Sequence, residues 1–69
     1  MRNLDDQIAS ATRHVENGRR IVQRQRERIA SGTAAPGAHE LLRTFEQSQA
    51  IFEEDLARLI KERDGTKAA

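Results

Sequence analysis

Apolar residues in both halves of the chain recur at spacings that alternate between four and three residues. This alternation is the heptad pattern of helices that pack along one seam through their a and d positions. In the first half the d positions include the small residues Ala11 and Gly18, whereas the second half carries large residues at equivalent positions. The predicted hairpin seam consists of Leu4, Ile8, Ala11, Val15, Gly18, Val22, Ile29, Leu42, Phe45, Phe52, Leu56 and Leu59.

One cluster of helix-breaking residues separates the two halves. Pro36 is the only proline, and Gly32 and Gly37 flank it. Asn3 is a suitable N-cap for the first helix and Gly32 a suitable end, whereas Pro36 suits the first turn of the second helix. Gly65 is a natural stop. The sequence predicts one domain with helix one over about 3–31, a turn over about 32–35, helix two over about 36–64 and a frayed tail over about 65–69.

Two helices joined by so short a turn fold back on each other, so the predicted fold is an all-α, antiparallel, coiled-coil-like hairpin. A chain of 69 residues without cysteine has a small core and no disulfide to support it. Apolar residues beside the seam widen the apolar stripe beyond what two helices can cover. We therefore expect a homodimer that forms a four-helix bundle, although single apolar surface residues are also common. The candidate oligomer interface is Ile21, Leu41, Ile51 and Ile60.

Three polar or small seam residues leave alternatives open. Gly18 lowers helix propensity by about 1 kcal/mol relative to alanine, so it calls for a packing reason, such as room for an aromatic ring or for close backbone approach. A tolerated surface glycine is the alternative. Gln25 and Gln49 interrupt the apolar seam. Such residues either are buried and fix the register of the helices, or lie at a solvent-exposed edge of the interface.

The charges are nearly balanced overall but divided between the halves. The chain has 12 Lys and Arg against 11 Asp and Glu, for a net charge of +1. Residues 1–31 contain seven basic and four acidic residues, whereas residues 36–69 contain five and seven. The helices are therefore complementary, and ion pairs between them are expected at e and g positions. The candidates are Arg19, Arg26 and Arg28 with Glu46, Glu53 and Asp55.

Few residues point to chemistry. The outer face of helix one offers Arg13, Arg20 and Arg24 for nucleic acid, but the small net charge and the lack of Trp and Tyr argue against it. His14 and His39 do not form a metal-ligand pattern, and no serine has a neighbouring base. The sequence therefore predicts no enzyme and no cofactor. It also has no apolar run typical of a signal or membrane segment, from which we expect a cytoplasmic protein without a membrane partner.

Several short segments resemble those of a set of small uncharacterised bacterial proteins. The segments are His14–Gly18, which reads His-Val-x-x-Gly, Arg24–Arg26, which reads Arg-Gln-Arg, and Leu41–Glu46, which reads Leu-Leu-x-Thr-Phe-Glu. The resemblance implies a small helical hairpin and no particular substrate. Together with the heptad pattern, it favours a structural or protein-interaction module that binds itself or another helical protein.

Overall fold

The computed structural model describes residues 3–68 and consists of two helices. Helix α1 spans Leu4–Ser31 and helix α2 spans Ala38–Ala68. The helices pack against each other in an antiparallel hairpin that measures 52 × 18 × 15 Å along its principal axes. The prediction of an all-α hairpin is confirmed. Within residues 3–68, neither helix has an apolar stretch long enough to cross a membrane.

Both ends of α1 are capped as the sequence predicts. The Asn3 side chain accepts a hydrogen bond of 2.8 Å from the backbone N–H of Asp6, which satisfies one of the free N–H groups of the first turn. At the other end Gly32 has φ 76°, and its N–H donates to the carbonyl of Ile29. The N–H of Thr33 donates to the carbonyl of Arg28, which completes a Schellman motif.

The connection between the helices contains a tight turn at Pro36 and Gly37. The N–H of Ala38 donates to the carbonyl of Ala35 at 3.2 Å, and Gly37 has φ 85°. Proline followed by glycine with positive φ is typical of a type II turn. Helix α2 starts only after this turn, at Ala38, so the prediction that Pro36 lies in its first turn is wrong. The physical reason is that Gly37 takes a left-handed conformation, which a helix cannot contain.

Helix α2 also extends past its predicted end. It continues through Gly65 to Ala68, whereas the sequence predicts a stop at Gly65 and a tail over 65–69. Gly65 does not adopt positive φ, and no proline follows it to interrupt the hydrogen bonds. A glycine only lowers helix propensity by about 1 kcal/mol, which neighbouring residues can offset. Residue 69 of the predicted tail lies outside the described residues.

The core is a narrow strip along the seam. Its buried apolar residues are Ala11, Val15, Val22, Ala38 and Leu59. The other predicted seam residues are half-buried, with the exception of Phe52, which is 37% exposed. The placement of Phe52 inside the seam is thus corrected, because two helices have no third element to cover an aromatic ring at the edge of their contact.

The hairpin exposes more surface to solvent than a compact monomer of the same mass. A compact monomer of 7.8 kDa exposes about 4,400 Å² by the general scaling of surface with mass. The hairpin exposes 5421 Å². The difference, about 1,000 Å², is similar to the surface of about 800 Å² that each partner buries in a standard protein interface.

Candidate interaction surface

Gly18 of α1 lies directly against the side chain of Gln49 of α2. A β-carbon added to Gly18 would lie 1.7 Å from Oε1 of Gln49, so any side chain at position 18 would displace the Gln49 amide from its present position. The absence of a side chain at Gly18 therefore makes room for the amide of Gln49. The predicted packing role of Gly18 is confirmed, but its neighbour is an amide rather than the expected aromatic ring of Phe52.

Gln49 joins the two helices by hydrogen bonds. Its Nε2 donates to the carbonyl of Val15 at 3.0 Å and to Oε1 of Glu53 at 3.4 Å. Its Oε1 is buried and accepts no hydrogen bond from the residues that the structure describes. This oxygen occupies the space that a side chain at Gly18 would take.

Gln25 makes the equivalent link from the other helix. It is buried, and its Nε2 donates to the carbonyl of Ala38 at 3.0 Å. Each helix thus contributes one buried glutamine, and each glutamine donates to a main-chain carbonyl of the opposite helix. Of the two alternatives that the sequence leaves open, the structure shows buried polar residues rather than a solvent-exposed edge. A different register would leave these amides unpaired, which costs about 1–3 kcal/mol for each buried group.

One side of the seam is closed by ion pairs, and we call it the ionic face: Arg19, Arg26, Glu46 and Glu53. Arg19 pairs with Glu53 at 3.3 Å, and Arg26 pairs with Glu46 at 2.8 Å. Both pairs join residues of the predicted sets, so the prediction of ion pairs between the helices is confirmed. The ionic face borders a shallow groove of about 470 Å³ whose floor includes Val22 and Ala50. Because the charges along the groove already pair with each other, they offer no uncompensated charge to a ligand.

Asp55, the third predicted acidic partner, pairs within its own helix. It forms an ion pair with Arg58, one turn further along α2, instead of with an arginine of α1. The hydrogen bond to Asp55 and its negative charge raise the pKa of the Arg58 guanidinium further above its ordinary value. Arg58 is exposed, so this pair has a local effect and does not join the two helices.

The other side of the seam carries exposed apolar side chains, and we call it the apolar face: Ile21, Leu41, Ile51 and Phe52. Ile21 and Leu41 are each 45% exposed, and Ile51 is 64% exposed. The imidazole of His14 stacks on the ring of Phe52, with centroids 5.5 Å apart and an angle of 20° between the planes. Ile21, Leu41 and His14 are g residues, whereas the ion pairs join e residues. The two faces therefore lie on opposite sides of the seam.

The fourth residue of the candidate interface, Ile60, lies elsewhere. It is half-buried and occupies an e position, in line with Glu46 and Glu53 of the ionic face. Ile60 therefore does not join Ile21, Leu41 and Ile51 on one surface, as we expected. The fourth residue of the apolar face is instead Phe52. Its ring is predicted to lie inside the seam but is exposed at the edge of the seam.

The three arginines considered for nucleic acid are all exposed on α1. Arg13 and Arg20 follow the outer side of the helix, and Arg24 lies closer to the apolar face. Glu16 and Glu27 lie among them on the same helix, and Glu27 accepts a hydrogen bond from Gln23. The arginines therefore share their surface with acidic residues.

Sequence reasoning missed two features of this surface. The link between Gln49 and Gly18 has a signal in the heptads, because the small residue of one seam is level with the long polar residue of the other. The stack of His14 on Phe52 pairs a g residue with a d residue across the seam, which heptad assignment does not rank above other neighbours. A side-chain packing calculation on the hairpin would have been needed to find it.

Across the side chains that the structure describes, no three His, Cys, Asp or Glu residues cluster in a way that could hold a metal ion. The chain matches no known family, no curated protein and no solved structure in the comparisons made. The resemblance of its segments to small bacterial proteins stays a prediction.

Proposed function

We propose that this protein is a small structural and protein-interaction module that binds a second copy of itself through the apolar face. The observation that carries the proposal is the location of the exposed large apolar residues. Among the described residues, the exposed large apolar side chains Ile21, Leu41, Ile51 and Phe52 all lie on the side of the seam opposite the two ion pairs. Scattered surface residues would instead occur on both sides.

The size of the core supports the same proposal. Among the described residues no large side chain is completely buried, so a single hairpin has little apolar burial to stabilise it. Burial contributes about 25 cal/mol per Å², which must offset the entropy of ordering each residue. Two hairpins joined by their apolar faces would form a four-helix bundle and enclose the half-buried seam residues. A homodimer is therefore the partner arrangement that best meets this need.

Nucleic-acid binding by Arg13, Arg20 and Arg24 is the alternative function. The observations favour self-association, because Glu16 and Glu27 lower the positive potential around these arginines. Titration of labelled single-stranded and duplex oligonucleotides at low salt separates the two. We expect no change in fluorescence anisotropy up to micromolar protein, whereas salt-sensitive binding would favour the alternative.

Sedimentation equilibrium at about 1–100 μM protein tests self-association. We expect a mass of twice 7.8 kDa at the higher concentrations. The variant Ile51→Lys should remain a monomer, because it places a charge in the apolar face that the dimer would bury. The matched control Gln47→Lys adds the same charge one turn earlier, on the outside of α2, and should still form the dimer.

Circular dichroism checks that both variants keep the helix content of the native chain. Ile51 suits this test because it is 64% exposed, so its replacement changes the isolated hairpin little. A native chain that stays at 7.8 kDa over the whole concentration range would contradict the proposal. Equal dimerisation of Ile51→Lys and Gln47→Lys would show that the apolar face is not the interface.

A further inference from the structure

The charges beside the apolar face differ between its two ends. Near the turn, α1 contributes Arg24 at a c position and Arg28 at a g position. Near the chain termini, α2 contributes Asp55 and Glu62 at g positions, and Arg58 pairs with Asp55. Among the described c and g residues, the turn end of this side is therefore basic, whereas the terminal end carries two acidic residues and one basic residue.

We infer that the two copies associate in antiparallel orientation, with the turn of each hairpin beside the termini of the other. This inference rests on the proposed self-association. An antiparallel pair places the basic end of one copy against the acidic end of its partner. A parallel pair would place Arg24 and Arg28 of both copies at the same end, where their charges repel. Charges arranged in this way select an orientation through the repulsion that the other orientation creates.

The apolar residues agree with the same orientation. The Gly18–Gln49 contact sets the register of the helices, and it makes Ile21 level with Glu46. This level is close to the midpoint between Leu41 and Phe52, which are separated by about 16 Å at a rise of 1.5 Å per residue. We place a two-fold axis at this level, perpendicular to the helices and in the plane of the interface. Such an axis packs α2 against α2 of the second copy.

Three contacts follow from such an axis. Leu41 faces the partner's Phe52, and by symmetry Phe52 faces the partner's Leu41. Ile21 lies close to Ile21 of the second copy, because both residues are at the level of the axis. Arg28 comes level with the partner's Asp55, which also pairs with Arg58 of its own helix, because Arg28 and Asp55 both lie about 7–9 residues from the axis along the rod. A single symmetry operation thus matches the apolar residues and the charges, as expected of an isologous interface.

Spin labels at the turn test the orientation directly. The chain has no cysteine, so Ala35→Cys provides one labelling site on an exposed residue of the connection. In an antiparallel dimer the two labels lie about 35 Å apart, from the rise of 1.5 Å per residue on both sides of the axis. In a parallel dimer the two turns are neighbours, and the labels lie within about 20 Å of each other.

The outcomes of the distance measurement separate the two proposals. A dipolar distance of about 35 Å supports the antiparallel dimer. A short distance in a sample that sediments as a dimer overturns the orientation and leaves the proposed function standing. A sample without any dipolar interaction that sediments at 7.8 kDa overturns both.

A pair of double variants tests the role of charge. Arg24→Gln with Arg28→Gln removes two charges beside the apolar face, and we expect it to weaken self-association about tenfold at low salt. The control, Arg13→Gln with Arg20→Gln, removes two charges from the outer side of the same helix and should change the dissociation constant less than about twofold. Equal effects of the two double variants would overturn the assignment of charge to the interface.

Discussion

The ionic face and the apolar face lie on opposite sides of the same seam. They differ in whether their side chains are satisfied within one chain. On the ionic face, Arg19 and Arg26 reach across to acidic residues of α2, so the charges of this side are satisfied within one chain. On the apolar face, Ile21, Leu41 and Ile51 remain exposed and have no third helix to cover them. The comparison shows that ion pairs within the chain satisfy one edge of the two-helix unit, whereas the other edge leaves large apolar side chains uncovered.

The largest expected loss of stability comes from adding a side chain at Gly18, which lies against the amide of Gln49. Gly18→Leu forces a side chain into the space of the Gln49 amide and widens the seam between the two faces. We expect the free energy of unfolding to fall by about 1–3 kcal/mol in urea titrations at one fixed protein concentration.

The control for this variant is a glycine on α2 with space around it. A β-carbon on Gly65 meets no atom within 4 Å, so Gly65→Ala should raise the stability by up to about 1 kcal/mol through helix propensity alone. If Gly18→Leu were as stable as the native chain, the helices would not be held together through the amide of Gln49.

A smaller effect is expected from the hydrogen bonds that keep the two faces in register. Gln25→Ala removes the buried hydrogen bond to the carbonyl of Ala38, and we expect a loss of about 1–2 kcal/mol of unfolding free energy. Gln23→Ala is the matched control, because Gln23 is exposed and bonds only to Glu27 of its own helix. Its effect should stay within about 0.5 kcal/mol. Similar losses for the two variants would argue against a special role for the buried amide.

The smallest effect is expected on the ionic face itself. Arg26→Ala removes the ion pair with Glu46. The side chains of Arg26 and Glu46 are both about half exposed. We expect a loss of less than about 1 kcal/mol, because water and salt screen exposed pairs. The dimer dissociation constant should not change, since this face lies away from the proposed interface. A weaker dimer in sedimentation equilibrium would place the ionic face at the interface and reverse the comparison.

Much of the fold follows from local sequence signals. Asn3 and Gly32 indicate the ends of α1 because capping depends on a side-chain acceptor and on left-handed backbone, which are properties of single residues. The Pro36–Gly37 turn also has a local signature, although the preference of proline for the first turn of a helix places the start of α2 too early. Gly65 shows the limit of such signals, since a glycine weakens a helix without ending it.

The candidate site was less accessible to this reasoning. The heptads identify Ile21, Leu41 and Ile51 as residues beside the seam, and the structure exposes all three. They also include Ile60, which lies on the ionic face, and they assign Phe52 to the seam although it lies at the edge. Heptad letters describe an angle around one helix, whereas burial depends on the separation and relative rotation of both helices.

The amino-acid sequence by itself determined two helices, the turn between them, the antiparallel hairpin and the candidate residues of two ion pairs. These features depend on periodicity, capping and charge, which are encoded over a few neighbouring residues. Only the tertiary structure decided that Gln49 fills the space above Gly18, that both seam glutamines are buried, and that Phe52 stacks on His14 outside the core. Those outcomes depend on how closely the two backbones approach, and that distance is the joint result of every side chain in the seam.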